Sequence, residues 1–202
     1  MLLSEGVFWG PPPEVRLELG NQERVSRQTT STAGNWQPEL ERIITTLSPI
    51  KRVVLVGMGH PLCSDDFAGS YVVKKIIVQS KHSLPEGVYL FDGEDNVENL
   101  ITRIADVEAE HVVFVDACEM KAEPGEIRLI SVMQTTYPFF TTHGVPLKLL
   151  AEQLLPKSQV WILAIQPKRT DFGERLSPEI RATADSISNF LATILKERAS
   201  AS

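Results

Sequence analysis

The chain has 202 residues, of which 43% are hydrophobic and 23% are charged, and these proportions indicate a globular protein with one main domain. Its 26 acidic and 20 basic side chains give a net charge of −6, which argues against binding to the phosphate backbone of nucleic acids. No apolar run approaches the roughly 20 residues of a membrane span, and only two cysteines are present, so we expect neither membrane insertion nor a disulfide framework.

Residues 1–34 differ in character from the rest of the chain. A Gly-Pro-Pro-Pro run at 10–13 is typical of a stiff extended segment, and small polar residues dominate the end of the region. Three apolar side chains alternate with charged ones in the pattern of a short edge strand: Val15, Leu17 and Leu19. We predict an N-terminal arm or linker over 1–34, followed by a single α/β domain over 35–202.

Helical and strand patterns alternate along the main domain. Apolar residues at helical spacing predict a leading helix at about 38–47. Short apolar runs predict five strands, at 52–57, 88–92, 111–116, 126–131 and 160–165. Further helical patterns occur at about 67–79, 96–105, 145–154 and 178–197. This alternation predicts an α/β domain whose mostly parallel sheet is covered by helices on both faces.

The turn after the first predicted strand has two glycines, which suggests a dinucleotide-binding motif. Functional sites in open α/β sheets gather beyond the carboxyl ends of the strands, and Gly57 and Gly59 stand at this place. However, Leu62 occupies the position of the third glycine of that motif. We therefore interpret the glycines as a tight turn and disfavour nucleotide binding.

Three polar side chains that follow elements at this same edge form a candidate metal site: Asp66, Asp116 and His143. Two carboxylates and one imidazole suit a divalent metal of intermediate hardness, and they leave coordination positions open for a substrate. Simpler roles compete with this one. An aspartate at a helix start, such as Asp65 or Asp66, is commonly a cap, and a loop histidine is commonly solvated.

Other reactive side chains lie near the same edge. His60 is a further candidate metal ligand or general base, with a simple loop residue as the alternative. Cys63 and Cys118 lack a Cys-x-x-Cys partner, so we interpret them as small, partly buried side chains. No nucleophile elbow, phosphate-binding loop or His-Glu-x-x-His motif occurs, so a metal is the expected source of any hydrolytic nucleophile.

Five motifs, in the same order, resemble those of the [NiFe]-hydrogenase maturation endopeptidases. The first is a strand followed by a Gly-x-Gly turn, an acidic pair and a later glycine. The motifs are found at 54–69, Asp92-Gly93, Asp116-Ala117 with Glu123-Pro124-Gly125, Thr142-His143, and the closing elements 164–167 and 172–178. The resemblance covers about residues 50–197. Two positions depart from the family pattern: His60 stands where asparagine is usual, and Glu94 where a second glycine is common.

The resemblance implies a three-layer α/β/α fold with a five-stranded mixed sheet. It also implies an endopeptidase that removes a carboxy-terminal extension from the hydrogenase large-subunit precursor after nickel insertion. In that activity Asp66, Asp116 and His143 contact the metal and take part in catalysis. Asp92 and Gly93, together with His60, are expected to help in substrate recognition. The nickel belongs to the precursor, which is the expected partner, and the enzyme contacts it only transiently.

Two other functions remain open at this point. The same residues suit a metallohydrolase with its own tightly bound metal, and they also suit a module that recognises the nickel-loaded subunit without cutting it. The low cysteine count favours the reducing cytoplasm as the location. The sequence specifies neither the cognate hydrogenase, nor the cleavage site, nor the oligomeric state.

Overall fold

The computed structural model describes residues 36–45, 52–80, 84–94, 96–133, 141–142, 145–154, 157–173 and 175–201. The strands are β1 (Val53–Met58), β2 (Val88–Glu94), β3 (His111–Ala117), β4 (Ile127–Ser131), β5 (Thr141–Thr142), β6 (Val145–Pro146) and β7 (Gln159–Ile165). The helices are α1 (Trp36–Thr45), α2 (Ala68–Gln79), α3 (Ile101–Asp106), α4 (Leu147–Leu154) and α5 (Pro178–Ala201). The predicted N-terminal arm lies outside the described residues.

Five strands form the main sheet in the order β2-β1-β3-β7-β4. Strands β2, β1, β3 and β7 are parallel, and β4 pairs antiparallel with β7. The predicted mixed, mostly parallel sheet is therefore confirmed. Because the four parallel strands point the same way, their carboxyl ends meet at one edge, and the loops that leave β1, β3 and β7 lie side by side there.

Helices cover both faces of this sheet, so the predicted three-layer architecture is also confirmed. Helices α1, α2 and α5 enclose one apolar core, in which Leu40, Ile76 and Ile187 are almost fully buried. Helices α3 and α4 enclose the other, with Ile104 and Leu147 at its centre. Strands β1 and β3 read as continuous apolar runs because residues on both of their faces are buried. None of the described helices has the length and apolarity to cross a lipid bilayer.

Most element boundaries agree with the sequence patterns, and two features differ. The helical pattern predicted at 96–105 begins as a 3-10 turn over Val97–Asn99, and the α-helix starts only at Ile101. Strands β5 and β6, each two residues long, pair antiparallel as a separate ladder that no pattern predicted, and β6 takes the first two residues of the helix predicted at 145–154, which begins only at Leu147. Two-residue strands are too short to give an alternating signal, which explains why they were missed.

Candidate active site

The turn after β1 fixes the position of Asp66. Gly59 has φ +118, and a Cβ on it would lie 1.7 Å from the carbonyl oxygen of Asp66. Only glycine fits here, since any side chain would push the two backbone segments apart. The backbone N–H of His60 donates a hydrogen bond to Asp66 Oδ2 over 2.6 Å. The turn therefore folds back on Asp66 and orients its carboxylate.

Close packing between α2 and β3 places Asp116 in the same region as Asp66. A Cβ on Gly69 would lie 1.9 Å from the carbonyl oxygen of Val115, so glycine is required for the helix start to approach the strand end. Asp116 is partly buried. Burial, and then repulsion from the Asp66 carboxylate, raise the pKa of Asp116 to about 7. The two predicted carboxylates thus share one poorly solvated region.

This carboxylate pair is electrostatically suited to a cation. Two like charges in a region of low dielectric raise the energy of the folded chain, and a divalent cation between them would remove that repulsion. The third predicted ligand, His143, lies outside the described residues. Among the residues that the structure describes, no group of three or more His, Cys, Asp and Glu side chains is arranged to hold a metal ion. Of the three predicted ligands, the two that the structure describes, Asp66 and Asp116, lie close enough for their charges to interact.

The ring of His60 closes the turn in which it lies. Its Nδ1 accepts a hydrogen bond from the backbone N–H of Leu62 over 3.0 Å, so the neutral ring carries its proton on Nε2. Asparagine, which is usual at position 60 in the family that the sequence motifs resemble, also accepts a hydrogen bond from the backbone amide two residues further on. Binding a metal through Nε2 would require the other tautomer and the loss of this bond. The recognition or ligand role of His60 stays a prediction.

Asp92 and Gly93 lie at the end of β2, close to α2. The Asp92 carboxylate accepts a hydrogen bond from the Ser70 hydroxyl and lies 3.0 Å from Lys74 Nζ. Gly93 is buried, and a Cβ on it would lie 3.2 Å from the carbonyl oxygen of Gly57. Both residues thus support the packing of β2 against its neighbours. Their predicted part in substrate recognition stays a prediction.

Both cysteines are at least partly buried, as the sequence predicted. Cys118 Sγ lies 3.7 Å from Asp116 Oδ2 and donates a weak hydrogen bond to it. Burial, followed by repulsion from Asp116, raises the pKa of the Cys118 thiol well above its ordinary value. Cys118 is therefore a neutral thiol that contacts the carboxylate of Asp116, not a thiolate.

A family comparison identifies the enzyme class to which this site belongs. The family model described as HycI, hydrogenase maturation protease, matches residues 71–197, which is more than half of the chain. The chain belongs to the hydrogenase maturation protease family. The resemblance found in the sequence motifs is therefore confirmed, and so is the predicted class of enzyme, a hydrolase that acts as an endopeptidase.

Individual members of the family give the same result. The hydrogenase 3 maturation protease of Escherichia coli K12 is 31% identical over 137 residues, which cover 66% of this chain and 85% of the relative. The structure of the [NiFe] hydrogenase maturation protease HycI from Thermococcus kodakarensis KOD1 matches with a TM-score of 0.68 and 26% identity, covering 78% of this chain and 99% of that one. The maturating endopeptidase HybD of E. coli, 20% identical, shares the fold with a TM-score of 0.58 over 72% of this chain and 93% of its own.

Asp65 has a structural role in this protease that the sequence did not predict. Its side chain is fully buried, and its carboxylate accepts hydrogen bonds from three backbone N–H groups: those of Lys168 and Arg169, each over 3.1 Å, and that of Ser177. Neither helix that starts near Asp65 and Asp66 has a side-chain cap, so the capping interpretation is wrong for both residues. Asp65 instead anchors the long loop after β7 to the turn after β1.

Gln166 anchors the loop that follows Asp116. The side chain is almost fully buried, and its Oε1 accepts hydrogen bonds from the backbone N–H groups of Met120 and Ala122 over 2.7 and 3.3 Å. Its Nε2 donates to Glu119 Oε2 and to the carbonyl of Pro167. The only signal in the sequence was its position directly after a predicted strand at the carboxyl edge of the sheet.

Replacing Gln166 with leucine is expected to lower the free energy of unfolding by about 2–4 kcal/mol, because one buried and one partly buried backbone N–H group lose their acceptor. Urea unfolding followed by circular dichroism measures the loss. Gln159, which is exposed at the start of β7, is the control, since Gln159→Leu removes no buried hydrogen bond. Equal midpoints for the two variants would contradict the anchoring role.

Ser64 is held in a strained conformation between the two loops. Its φ of 47° is in the left-handed region, which is unfavourable for a residue with a Cβ. Its buried Oγ has no hydrogen-bond partner in the part of the chain that the structure describes. Ser64→Gly is therefore expected to raise the free energy of unfolding by about 1 kcal/mol. Ser188→Gly removes a hydroxyl in α5 that donates a hydrogen bond, so it should lower the free energy of unfolding. A lower free energy of unfolding in both variants would contradict the strain at Ser64.

Proposed function

We propose that this protease removes a carboxy-terminal extension from the large-subunit precursor of a [NiFe]-hydrogenase after nickel insertion, in the cytoplasm. Asp66, Asp116 and His143 contact the nickel, which is part of the substrate and not a resident cofactor. The observation that carries the proposal is the shared environment of Asp66 and Asp116, where burial, and then repulsion from the Asp66 carboxylate, raise the pKa of Asp116 to about 7. A cation that enters a site of this kind lowers its free energy, because it offsets the repulsion between the carboxylates.

The two carboxylates differ in what they do during cleavage. Asp66 receives the His60 N–H, which holds it in one orientation as a ligand. Asp116 has a pKa of about 7 before a cation enters the site, and when the nickel binds, the carboxylate oxygen that the ion leaves free is the general base that accepts a proton. The nickel of the precursor, when bound, polarises the scissile carbonyl or lowers the pKa of a water molecule.

The proposal also accounts for selectivity between loaded and empty precursors. Two carboxylates and one imidazole leave coordination positions open, so the precursor's own nickel ligands complete the set. A precursor without nickel offers no cation to offset the repulsion between Asp66 and Asp116, and it binds less well for that reason. The site therefore discriminates by the charge that the substrate brings.

Incubation with nickel-loaded and nickel-free precursor, followed by intact-mass measurement, tests this function. We expect the loaded precursor alone to lose a carboxy-terminal peptide. Metal analysis of the purified protease should find far less than one ion per chain. About one tightly bound ion per chain would indicate a hydrolase with its own metal, and two uncut precursors would indicate a module that binds without cutting. Either result would contradict the proposal.

A further inference from the structure

Two exposed apolar side chains lie on the loops beside Asp116. Leu62, on the loop after β1, is 39% exposed, and Phe172, on the loop after β7, is 79% exposed. Strand β3, which carries Asp116, lies between β1 and β7 in the sheet, so these loops leave the sheet on either side of it. Phe172 is the most exposed large apolar side chain among the described residues.

Backbone hydrogen bonds join these two loops into one surface. The Gly173 N–H donates to the Leu62 carbonyl over 2.8 Å, and the Ser64 N–H donates to the Gly173 carbonyl over 2.7 Å. These bonds make a parallel bridge between Cys63 and Gly173, next to Phe172 in the chain. Leu62 and the residue after Phe172 are therefore direct neighbours, and we refer to Leu62 and Phe172 together as the apolar rim.

The main chain and a buried carboxylate hold the rim in place without using its side chains. Asp65 anchors both ends of the second loop through three backbone N–H groups. The Phe172 ring adds nothing to this anchoring, because most of its surface is in water. Burying an aromatic ring of this size in a complex strengthens binding by about tenfold to a hundredfold, and because the backbone of the loop is already anchored, a partner does not have to order it.

The charges around the rim indicate the chemistry of that partner. Arg169 and Arg175 are both exposed on the loop that carries Phe172. Aromatic residues and arginine are the types enriched at the centres of protein interfaces. Asp171, next to Phe172, is also exposed, so the two arginines outnumber the exposed carboxylates among the described residues of this loop, which favours an acidic group on the partner.

We propose that the apolar rim, with Arg169 and Arg175, binds a stretch of the precursor polypeptide that carries apolar side chains next to an acidic group. The stretch lies beside the peptide bond that is cut, because the turn that presents Leu62 also presents Asp66, four residues further on. The proposal rests on the proposed function, since it assigns the rim to the same substrate. Apolar contact supplies affinity, and the arginines supply orientation.

Cleavage rates measured over a range of precursor concentrations test the rim. We expect Phe172→Ser and Leu62→Ser to raise KM about tenfold and to leave kcat within about twofold of wild type, since neither hydrocarbon side chain has a group that takes part in the chemistry. Val78, which is 74% exposed at the far end of α2, is the matched control. Val78→Ser should change neither constant. Phe172→Ser and Val78→Ser should unfold at the wild-type urea concentration, because most of each of these two side chains is exposed.

The outcomes separate this inference from the proposed function. If the wild type cleaves the precursor while Phe172→Ser and Val78→Ser have the same KM, the rim is not a docking surface and the function stands. If the wild type leaves the loaded precursor uncut, the proposed function fails first. Arg175→Glu tests the acidic part independently of the apolar one, and it should raise KM more strongly at low salt than at high salt. An unchanged KM at both salt concentrations would overturn that part.

Discussion

Asp116→Asn is expected to reduce precursor cleavage by about a thousandfold or more. The substitution keeps the shape of the side chain but removes both its charge and its ability to accept a proton near neutral pH. Initial rates of cleavage at saturating precursor measure the loss. Asp106→Asn, which changes an exposed carboxylate at the end of α3, is the control and should cleave at the wild-type rate.

The same substitution is expected to stabilise the folded protease above pH 7. The pKa of Asp116 rises from its usual 3.8 to about 7 on folding, so the unfolded chain loses this proton at lower pH than the folded one. Ionisation therefore favours unfolding, and wild-type stability falls as the pH rises from about 4 to about 7, by about 4 kcal/mol. An asparagine at this position does not ionise, so it does not destabilise the fold as the pH rises.

Melting temperatures measured from pH 3 to pH 8 check the sign of this effect. Asp116→Asn and wild type should coincide at the acidic end and diverge above pH 4, with the variant more stable at pH 8. If the variant is both inactive and more stable, the Asp116 carboxylate is needed for activity although it destabilises the fold. Wild-type cleavage by Asp116→Asn, or curves that coincide over the whole range, would contradict the role given to Asp116.

Asp65→Asn is expected to lower the free energy of unfolding by about 3–5 kcal/mol. Both oxygens of the Asp65 carboxylate accept backbone N–H groups, of which the two on Oδ2 are partly buried and the one on Oδ1 is buried. An amide has only one acceptor oxygen, so its NH₂ group must face at least one of these donors. Removing one side of such a buried, charge-assisted contact leaves donors without partners. Urea unfolding measures the loss.

Asp66→Asn is the matched control for this prediction. Asp66 accepts a main-chain hydrogen bond from His60 on one carboxylate oxygen, and the single acceptor oxygen of asparagine is enough to keep it. Asp66→Asn should therefore unfold within about 1 kcal/mol of wild type while it loses cleavage. The two neighbouring variants thus separate stability from activity. If Asp65→Asn were as stable as Asp66→Asn, the anchoring of the loop after β7 by Asp65 would be wrong.

The fold was largely predictable from the sequence because its signals are local. The apolar runs of β1 and β3 and the helical spacing of Leu40, Ile43 and Ile44 each report burial within a few residues. The parallel topology then put Asp66 and Asp116 at one edge of the sheet. The short ladder of β5 and β6 and the 3-10 start at Val97–Asn99 gave no comparable pattern.

The roles of individual polar residues were not predictable in the same way. Asp65 and Asp66 are adjacent and chemically identical, yet one faces backbone N–H groups more than a hundred residues away and the other faces Asp116. Gln166 likewise acts on a loop more than forty residues before it. Such roles depend on long-range contacts, which a local pattern does not contain.

A crystal structure of the full chain with nickel, using anomalous scattering at the nickel absorption edge, tests the central claim most directly. We expect a single nickel peak within coordination distance of carboxylate oxygens from Asp66 and Asp116 and of a ring nitrogen of His143. A peak elsewhere on the protein, or an imidazole of His143 too far from both carboxylates to share an ion with them, would contradict the account.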